Sequence, residues 1–207
     1  MKISYAITVC NELEEITNLL NFLQTNIKEG DEIVIQYDEN GVTDEVLDYL
    51  KLMDKMHSNH KVIGFPLNKD FASFKNNLKS HCSKDYIFQI DADEIPHESL
   101  VEVINEVLDT NPVDVIFLPR VNTVEGLEQS HIDKWKWQVN DKGWVNFPDY
   151  QTRIYKNTKD VTWMNKVHER ITGYNTVSNF PPEEQWSLYH HKQIDRQEKQ
   201  NEFYDTI

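Results

Sequence analysis

Five short apolar runs, Ile3 to Val9, Ile33 to Tyr37, Lys61 to Phe65, Tyr86 to Ile90 and Val113 to Leu118, alternate with segments whose apolar residues recur at helical spacing. Ile16, Leu19, Leu20 and Leu23 stand at i, i+3, i+4 and i+7, so they share one helical face. Thr43, followed by Asp44 and Glu45, makes a helix start before Val46, Leu47, Leu50 and Met53. Asp70 can cap a helix carrying Phe71, Phe74, Leu78 and Cys82, and Pro96 is expected to open one carrying Leu100, Val101, Ile104, Val107 and Leu108. Strands separated by helices predict an α/β fold: a three-layer, Rossmann-like arrangement with a mostly parallel central sheet covered on both faces. After Arg120 the pattern changes, with frequent Gly, Trp, Asn and Asp, a hairpin turn expected at Asn140 to Gly143, and a charged helix over Gln193 to Ile207. This second half is expected to supply an antiparallel edge.

At 207 residues the chain has room for one full α/β domain and not for two. We read residues 1–207 as one domain with two halves, 1–120 and 121–207. Thirty-five acidic against 21 basic residues give a formal charge of −14, which repels nucleic acids and anionic lipid. A phosphate-bearing ligand must then be met by a metal or a local basic group. Met1 to Cys10 carries no charged leader, no apolar run reaches membrane-spanning length, and Cys10 and Cys82 read as reduced thiols, so a cytoplasmic location is expected.

The most informative stretch is Tyr86-Ile87-Phe88-Gln89-Ile90-Asp91-Ala92-Asp93-Glu94. A buried strand ends in two aspartates separated by one small residue, and in an extended chain side chains at i and i+2 point the same way. Ligands of parallel sheets bind at the strands' carboxyl ends, where two converging acids invite a cation. Carboxylate oxygens suit Mg²⁺ or Mn²⁺. The bland alternative is that these acids decorate the start of the following helix, where the dipole favours them.

Taken together, Ile7-Thr8-Val9-Cys10-Asn11-Glu12, Asp38, Asp70-Phe71-Ala72 with Lys75-Asn76, and Ile90-Asp91-Ala92-Asp93-Glu94 resemble glycosyltransferase family 2 with the GT-A fold. The resemblance covers the first hundred residues well and the remainder more loosely. It implies a nucleotide-sugar donor, a UDP-sugar first, bound at the strand ends. Thr8, Asn11, Glu12 and Asp38 would contact base and ribose, and Lys75 and Asn76 would lie near the diphosphate or sugar. Asp91, Ala92 and Asp93 would form the Asp-x-Asp motif, with Asp91 and Asp93 on the Mn²⁺ or Mg²⁺. The Asp38 to Asp44 loop departs from the family's usual Asp-Gly-Ser-Thr-Asp spacing, and Lys75 stands where Arg is more frequent.

In the second half, Phe147-Pro148-Asp149-Tyr150-Gln151-Thr152-Arg153 resembles the region where family members carry an acidic catalytic base, making Asp149 the first candidate. Trp163 to Glu169 also resembles a segment near the acceptor, so Glu169 competes for that role, with His168 as an orienting group or a structural imidazole. Leu188-Tyr189-His190-His191-Lys192 stands where GT-A enzymes bring a late histidine to the metal, and His190 is preferred over His191. Trp135, Trp137 and Trp144 cluster near the hairpin, and one of them is expected to face the acceptor, a glycan or other hydroxyl compound.

The resulting expectation is a metal-dependent, inverting transfer of a sugar from a nucleotide-diphosphate donor to an acceptor hydroxyl. One rival is a carbohydrate- or nucleotide-binding module that kept the fold and lost catalysis. A sugar-nucleotide pyrophosphorylase ranks last, because Cys10-Asn11-Glu12-Leu13-Glu14 lacks the glycines of a phosphate loop.

Overall fold

The computed structural model describes residues 1–198. In chain order the first half runs β1 (Ile3–Val9), α1 (Leu13–Asn26), β2 (Glu32–Asp38), α2 (Asp44–Met56), β3 (His60–Phe65), α3 (Phe71–Ser80), β4 (Tyr86–Asp91), β5 (Glu94–Pro96), α4 (Glu98–Thr110) and β6 (Val115–Leu118). The second half contains β7 (Arg120–Glu125), α5 (Gln129–Trp135), β8 (Gln151–Lys156), β9 (Thr162–Met164), β10 (Arg170–Thr172), β11 (Val177–Asn179) and β12 (Leu188–Gln193). A seven-stranded sheet has the order β11-β6-β8-β4-β1-β2-β3. Only β8 runs against the others, pairing antiparallel with both β4 and β6. A second sheet, β5-β12-β7, stands beside the carboxyl end of β4.

The alternation has the expected cause. Ile3, Tyr5, Ile7, Ile33, Ile35, Phe88 and Ile90 are buried on one sheet face with Ile16, Leu19, Leu20 and Leu23 of α1 and Leu100, Val101, Ile104 and Leu108 of α4. Ala6, Val34 and Ile87 bury the other face against Ala72 and Leu78 of α3. Each large aliphatic side chain buried this way contributes roughly 1.5–3 kcal/mol. Helix starts follow local chemistry: Thr43 Oγ1 accepts from Val46 N at 3.5 Å, and Asp70 Oδ1 accepts from Ser73 N at 2.9 Å.

Two details depart from the sequence reading. Pro96 does not open α4; it ends β5, and His97 caps the helix by accepting from Ser99 N. Proline also suits a strand on the edge of a sheet, which β5 is. The antiparallel component does come from the second half, yet β8 sits inside the sheet between β6 and β4 rather than at its rim. The reason is that β6 leaves a gap beside β4, which β8 fills with the buried Ile154 and Tyr155. Of the segment expected to be helical after Gln193, residues 194–198 are helical and 199–207 lie outside the described residues. The Asn140–Gly143 turn forms as expected, with Gly143 N donating to Asn140 O at 2.9 Å and Val139 bridging Val145.

Candidate active site

Parallel pairing of β1 with β4 sets Thr8 beside Asp91. Thr8 Oγ1 donates to Asp91 Oδ1 at 2.8 Å, and Arg153 Nη2, arriving on β8, donates to Asp91 Oδ2 at 2.7 Å. Both carboxylate oxygens of Asp91 are therefore held by the protein. Burial alone would push its carboxyl up; the charges of Arg153 and Lys75 and the Thr8 hydroxyl outweigh that and hold it far below the usual carboxylate range.

Asp93 follows in a tight turn, and its partners come from the second sheet. The pairing of β12 with β5 and β7 puts His190 opposite Glu94 and beside Asn122. His190 Nδ1 lies 2.8 Å from Asn122 Oδ1, and Nε2 lies 3.4 Å from Asp93 Oδ2. Asn122 Nδ2 donates to Asp149 Oδ2 at 2.7 Å, and a carboxylate only accepts, so Asn122 must present its oxygen to His190. His190 Nδ1 then carries the proton. In the neutral ring the Nε2 lone pair faces Asp93, the orientation that a metal-binding histidine takes when its other nitrogen donates to a carbonyl. Burial raises the Asp93 carboxyl, and the His190 ring, when it is protonated and donates from Nε2, brings it below the ordinary value.

A cation's fit can be judged from these atoms. Two ligands of a six-coordinate ion, each about 2.1 Å away at right angles, lie about 3 Å apart. Asp93 Oδ2 and His190 Nε2, at 3.4 Å, meet that requirement. Asp91 already accepts one hydrogen bond on each oxygen, from Thr8 and Arg153, so an ion there would use the remaining lone pairs. Among the described residues no group of three or more His, Cys, Asp or Glu side chains is arranged to hold a metal ion.

Next to this pair, joined to His190 through Asn122, stands Asp149, at φ +33° after a turn. Arg120 donates to its Oδ2 from Nε at 2.9 Å and Nη2 at 2.7 Å, and Gln151 Nε2 reaches Oδ1 at 3.2 Å. Burial pushes the Asp149 carboxyl up, and Arg120 and Asn122 pull it below the usual range. Beneath both centres lies Glu94, 0% exposed, with Oε1 accepting from Arg153 Nη2 at 2.6 Å and Arg120 Nη1 at 3.0 Å. Glu94 thus ties Asp91 and Asp149 to one buried framework.

These groups line a cleft of about 1060 Å³ at the carboxyl ends of the parallel strands. Thr8, Asn11, Glu12, Asp38, Lys75, Asp91, Ala92, Asp93, Asp149, Glu169 and His190 all border it, as do His168 and Trp137. Asn76 does not: its amide donates to Trp163 O at 2.8 Å and accepts from Trp163 N at 2.9 Å, fixing α3 to β9. Lys75 Nζ lies 2.5 Å from Glu169 Oε1 and 4.6 Å from the centre of the Trp163 ring. Asp38 Oδ1 accepts from Asn40 N and Leu67 N, so it shapes the loop as well as facing the cleft. Trp135 and Trp144 are half-buried outside the cleft wall, and Trp135 packs on Trp137 with ring centres 4.6 Å apart.

Sequence reasoning did not single out Arg120, Asn122 or Arg196 as cleft residues. Their only signal is position: Arg120 and Asn122 alternate along β7, which places both side chains on the cleft side.

A family model described as Glycosyl transferase family 2 matches residues 4–203. Among solved structures, the chain is similar to Staphylococcus aureus TarS residues 1–349 in complex with UDP-GlcNAc, at TM-score 0.66 and 17% identity, covering 93% of this chain and 59% of that one. The same TarS fragment without that ligand gives 0.65 and 17%, covering 92% and 60%. In a third TarS structure only 37% of the chain is covered. This chain therefore spans about three fifths of the TarS fragment, and at this identity the likeness concerns the fold. A search of curated proteins gives no significant match. Among the described residues, no helix is long and apolar enough to cross a membrane.

Proposed function

The chain belongs to glycosyl transferase family 2, and from that premise we propose that it transfers a sugar from a nucleotide-diphosphate donor to an acceptor hydroxyl with the aid of a divalent ion. The observation that carries this reading is the Asp93–His190 pair at 3.4 Å, set in the cleft where β1 and β4 end and linked to Asp149 through Asn122. A UDP-sugar is the donor we favour, in keeping with the UDP-GlcNAc complex of TarS.

In this reading residues 1–120 hold the donor. Thr8, Asn11, Glu12 and Asp38 border the part of the cleft for base and ribose, and Asp91, locked by Thr8 and Arg153, presents a fixed charged edge to it. Asp93 and His190 would hold Mn²⁺ or Mg²⁺, which when bound neutralises charge on the diphosphate leaving group. Lys75, Lys192 and Arg196 border the same cleft and offer cationic groups to phosphate oxygens in a protein whose overall charge is −14.

Residues 121–207 would supply the acceptor side. Asp149 takes the proton from the attacking hydroxyl, its orientation set by Arg120 and Asn122. Direct displacement with Asp149 opposite the donor inverts the anomeric centre. Glu169 is the competing base, tied to Lys75. A cytoplasmic setting completes the reading, in keeping with two free thiols, Cys10 and Cys82.

The test is a thermal-shift and turnover screen of nucleotide sugars, each with and without Mn²⁺. The expected result is a donor-specific shift that needs metal, with Asp93→Ala losing both shift and turnover while staying folded. Donor binding without transfer to any hydroxyl acceptor would instead support a binding module, and Asp93→Ala with unchanged turnover overturns the metal role.

A further inference from the structure

The end of the described chain crosses the mouth of the cleft. β12 stops at Gln193, and Ile194 packs on Gly126, where an added Cβ would meet Ile194 Cγ2 at 2.9 Å and where φ is +79°. Only glycine satisfies both conditions, so the turn over 194–198 starts from a fixed point. From there Arg196 reaches the beginning of α1, donating from Nη1 to Glu15 Oε1 at 2.7 Å and from Nη2 to Glu12 Oε1 at 2.9 Å. On the other rim Glu198 lies 4.0 Å from His131 of α5.

Arg196 has a third acidic neighbour. Its Nη2 is 3.5 Å from Asp93 Oδ2, the same oxygen that His190 Nε2 faces at 3.4 Å. A guanidinium group thus stands at the open side of the notch that a divalent ion would fill. Two cations cannot share one carboxylate oxygen at these distances without repulsion. Glu12 gives the arginine somewhere else to go: its Oε2 is fixed by the main-chain N–H groups of Cys10 and Asn11 at 2.7 Å and 3.0 Å, leaving Oε1 directed at Arg196.

We propose that Arg196 is a tethered cation that competes with the divalent ion for Asp93, and that the 194–198 turn is a strap which metal binding loosens from that residue. The proposal rests on the metal reading above and adds to it a built-in occupant of the site. When the ion is absent, Arg196 balances Asp93, Glu12 and Glu15 together. When the ion is present, Arg196 retains only the two glutamates. Linkage makes the effect reciprocal: whatever weakens the strap strengthens metal binding, and metal binding weakens the strap by the same factor.

The experiment measures Mn²⁺ binding calorimetrically to the full chain without donor, for the wild type, Arg196→Gln and Asp93→Asn. Arg196→Gln is expected to bind Mn²⁺ about two- to fivefold more tightly, the scale of one half-exposed ion pair, and Asp93→Asn to lose binding. As the reciprocal readout, Mn²⁺ should speed tryptic cleavage after Arg196 in the wild type by a similar factor, followed by mass spectrometry. Equal or weaker Mn²⁺ binding by Arg196→Gln, with Asp93→Asn still defective, overturns the strap and leaves the metal site standing. No Mn²⁺ binding by any of the three proteins overturns the metal site and the strap together.

Discussion

A single nitrogen of Arg153, Nη2, bonds both Asp91 at 2.7 Å and Glu94 at 2.6 Å, so the arginine on β8 locks together two carboxylates on either side of the β4–β5 turn. Arg120 holds the same Glu94 oxygen at 3.0 Å. Removing one partner from a buried ion pair leaves an uncompensated charge, at a cost of about 3–5 kcal/mol. Arg153→Met should therefore lower the unfolding free energy by that amount, read as a lower urea midpoint at unchanged m. Adding Glu94→Gln to Arg153→Met should recover part of the loss, because the remaining Arg120 still balances Asp149. The same contact sets a pH dependence. Asp91 has its folded pKa depressed, so its contribution is complete above the ordinary value of 3.8 and disappears as pH falls below it. Midpoints for Arg153→Met that match the wild type would mean the bridge carries no stability.

The first half of the site was legible because its geometry is local. The apolar run Tyr86 to Ile90 predicts a strand, a strand in an α/β pattern predicts a carboxyl-end site, and Asp91 and Asp93 fall there. Asp70 and Thr43 cap α3 and α2 because capping depends on residues three positions apart. What could not be read is register between distant segments. Nothing in the string around Arg153 says that β8 lies beside β4, so the guanidinium that bonds Asp91 is invisible in the sequence. The same limit applies to Asn122, which joins His190 to Asp149 only because β7 pairs with β12. Asn76 looked like a cleft residue from its place after Lys75. On a helix, however, adjacent residues diverge by about 100°, and Asn76 faces Trp163 instead.

Asp149 as the base predicts a specific pH profile. A general base must be unprotonated, and Arg120 with Asn122 overcomes burial to keep this carboxyl below 3.8. The acidic limb of kcat/KM should accordingly lie below pH 4, with activity unchanged by that group down to there. Arg120→Gln removes the strongest lowering influence and should move the limb upward. Asp149→Asn should reduce kcat by about 10²–10⁴. If Glu169→Gln produces that loss and Asp149→Asn does not, the roles are reversed.

Trp137 borders the cleft on the side of Asn146 and Asp149 and is backed by Trp135, whose ring packs in turn on His131 with centres 5.4 Å apart. A tryptophan supported from behind offers a fixed flat face, which suits the apolar face of a sugar ring. Trp137→Ala should raise the acceptor KM by about tenfold, the scale of 1–1.5 kcal/mol for an aromatic contact. Donor hydrolysis in the absence of acceptor should stay within twofold of the wild type. Equal losses in both reactions would remove Trp137 from the acceptor side.

At the opposite end of the sheet His60 begins β3, 7% exposed, with its ring 4.6 Å from that of His57 and neither nitrogen bonded among the described residues. Burial, followed by the neighbouring His57, depresses its pKa to about 4, only partly offset by Asp54. An unfolded histidine takes up its proton near 6.5, so between those values the unfolded chain binds more protons than the folded one. Stability is therefore complete above about pH 6.5 and declines as pH falls toward 4, by on the order of 2–3 kcal/mol. Urea midpoints measured at pH 7.5 and pH 4.5 should separate clearly for the wild type and converge for His60→Phe, which fills the site without a titrating group. The same separation in His60→Phe would assign the acid sensitivity elsewhere, with the Asp91–Arg153 bridge contributing only below pH 4.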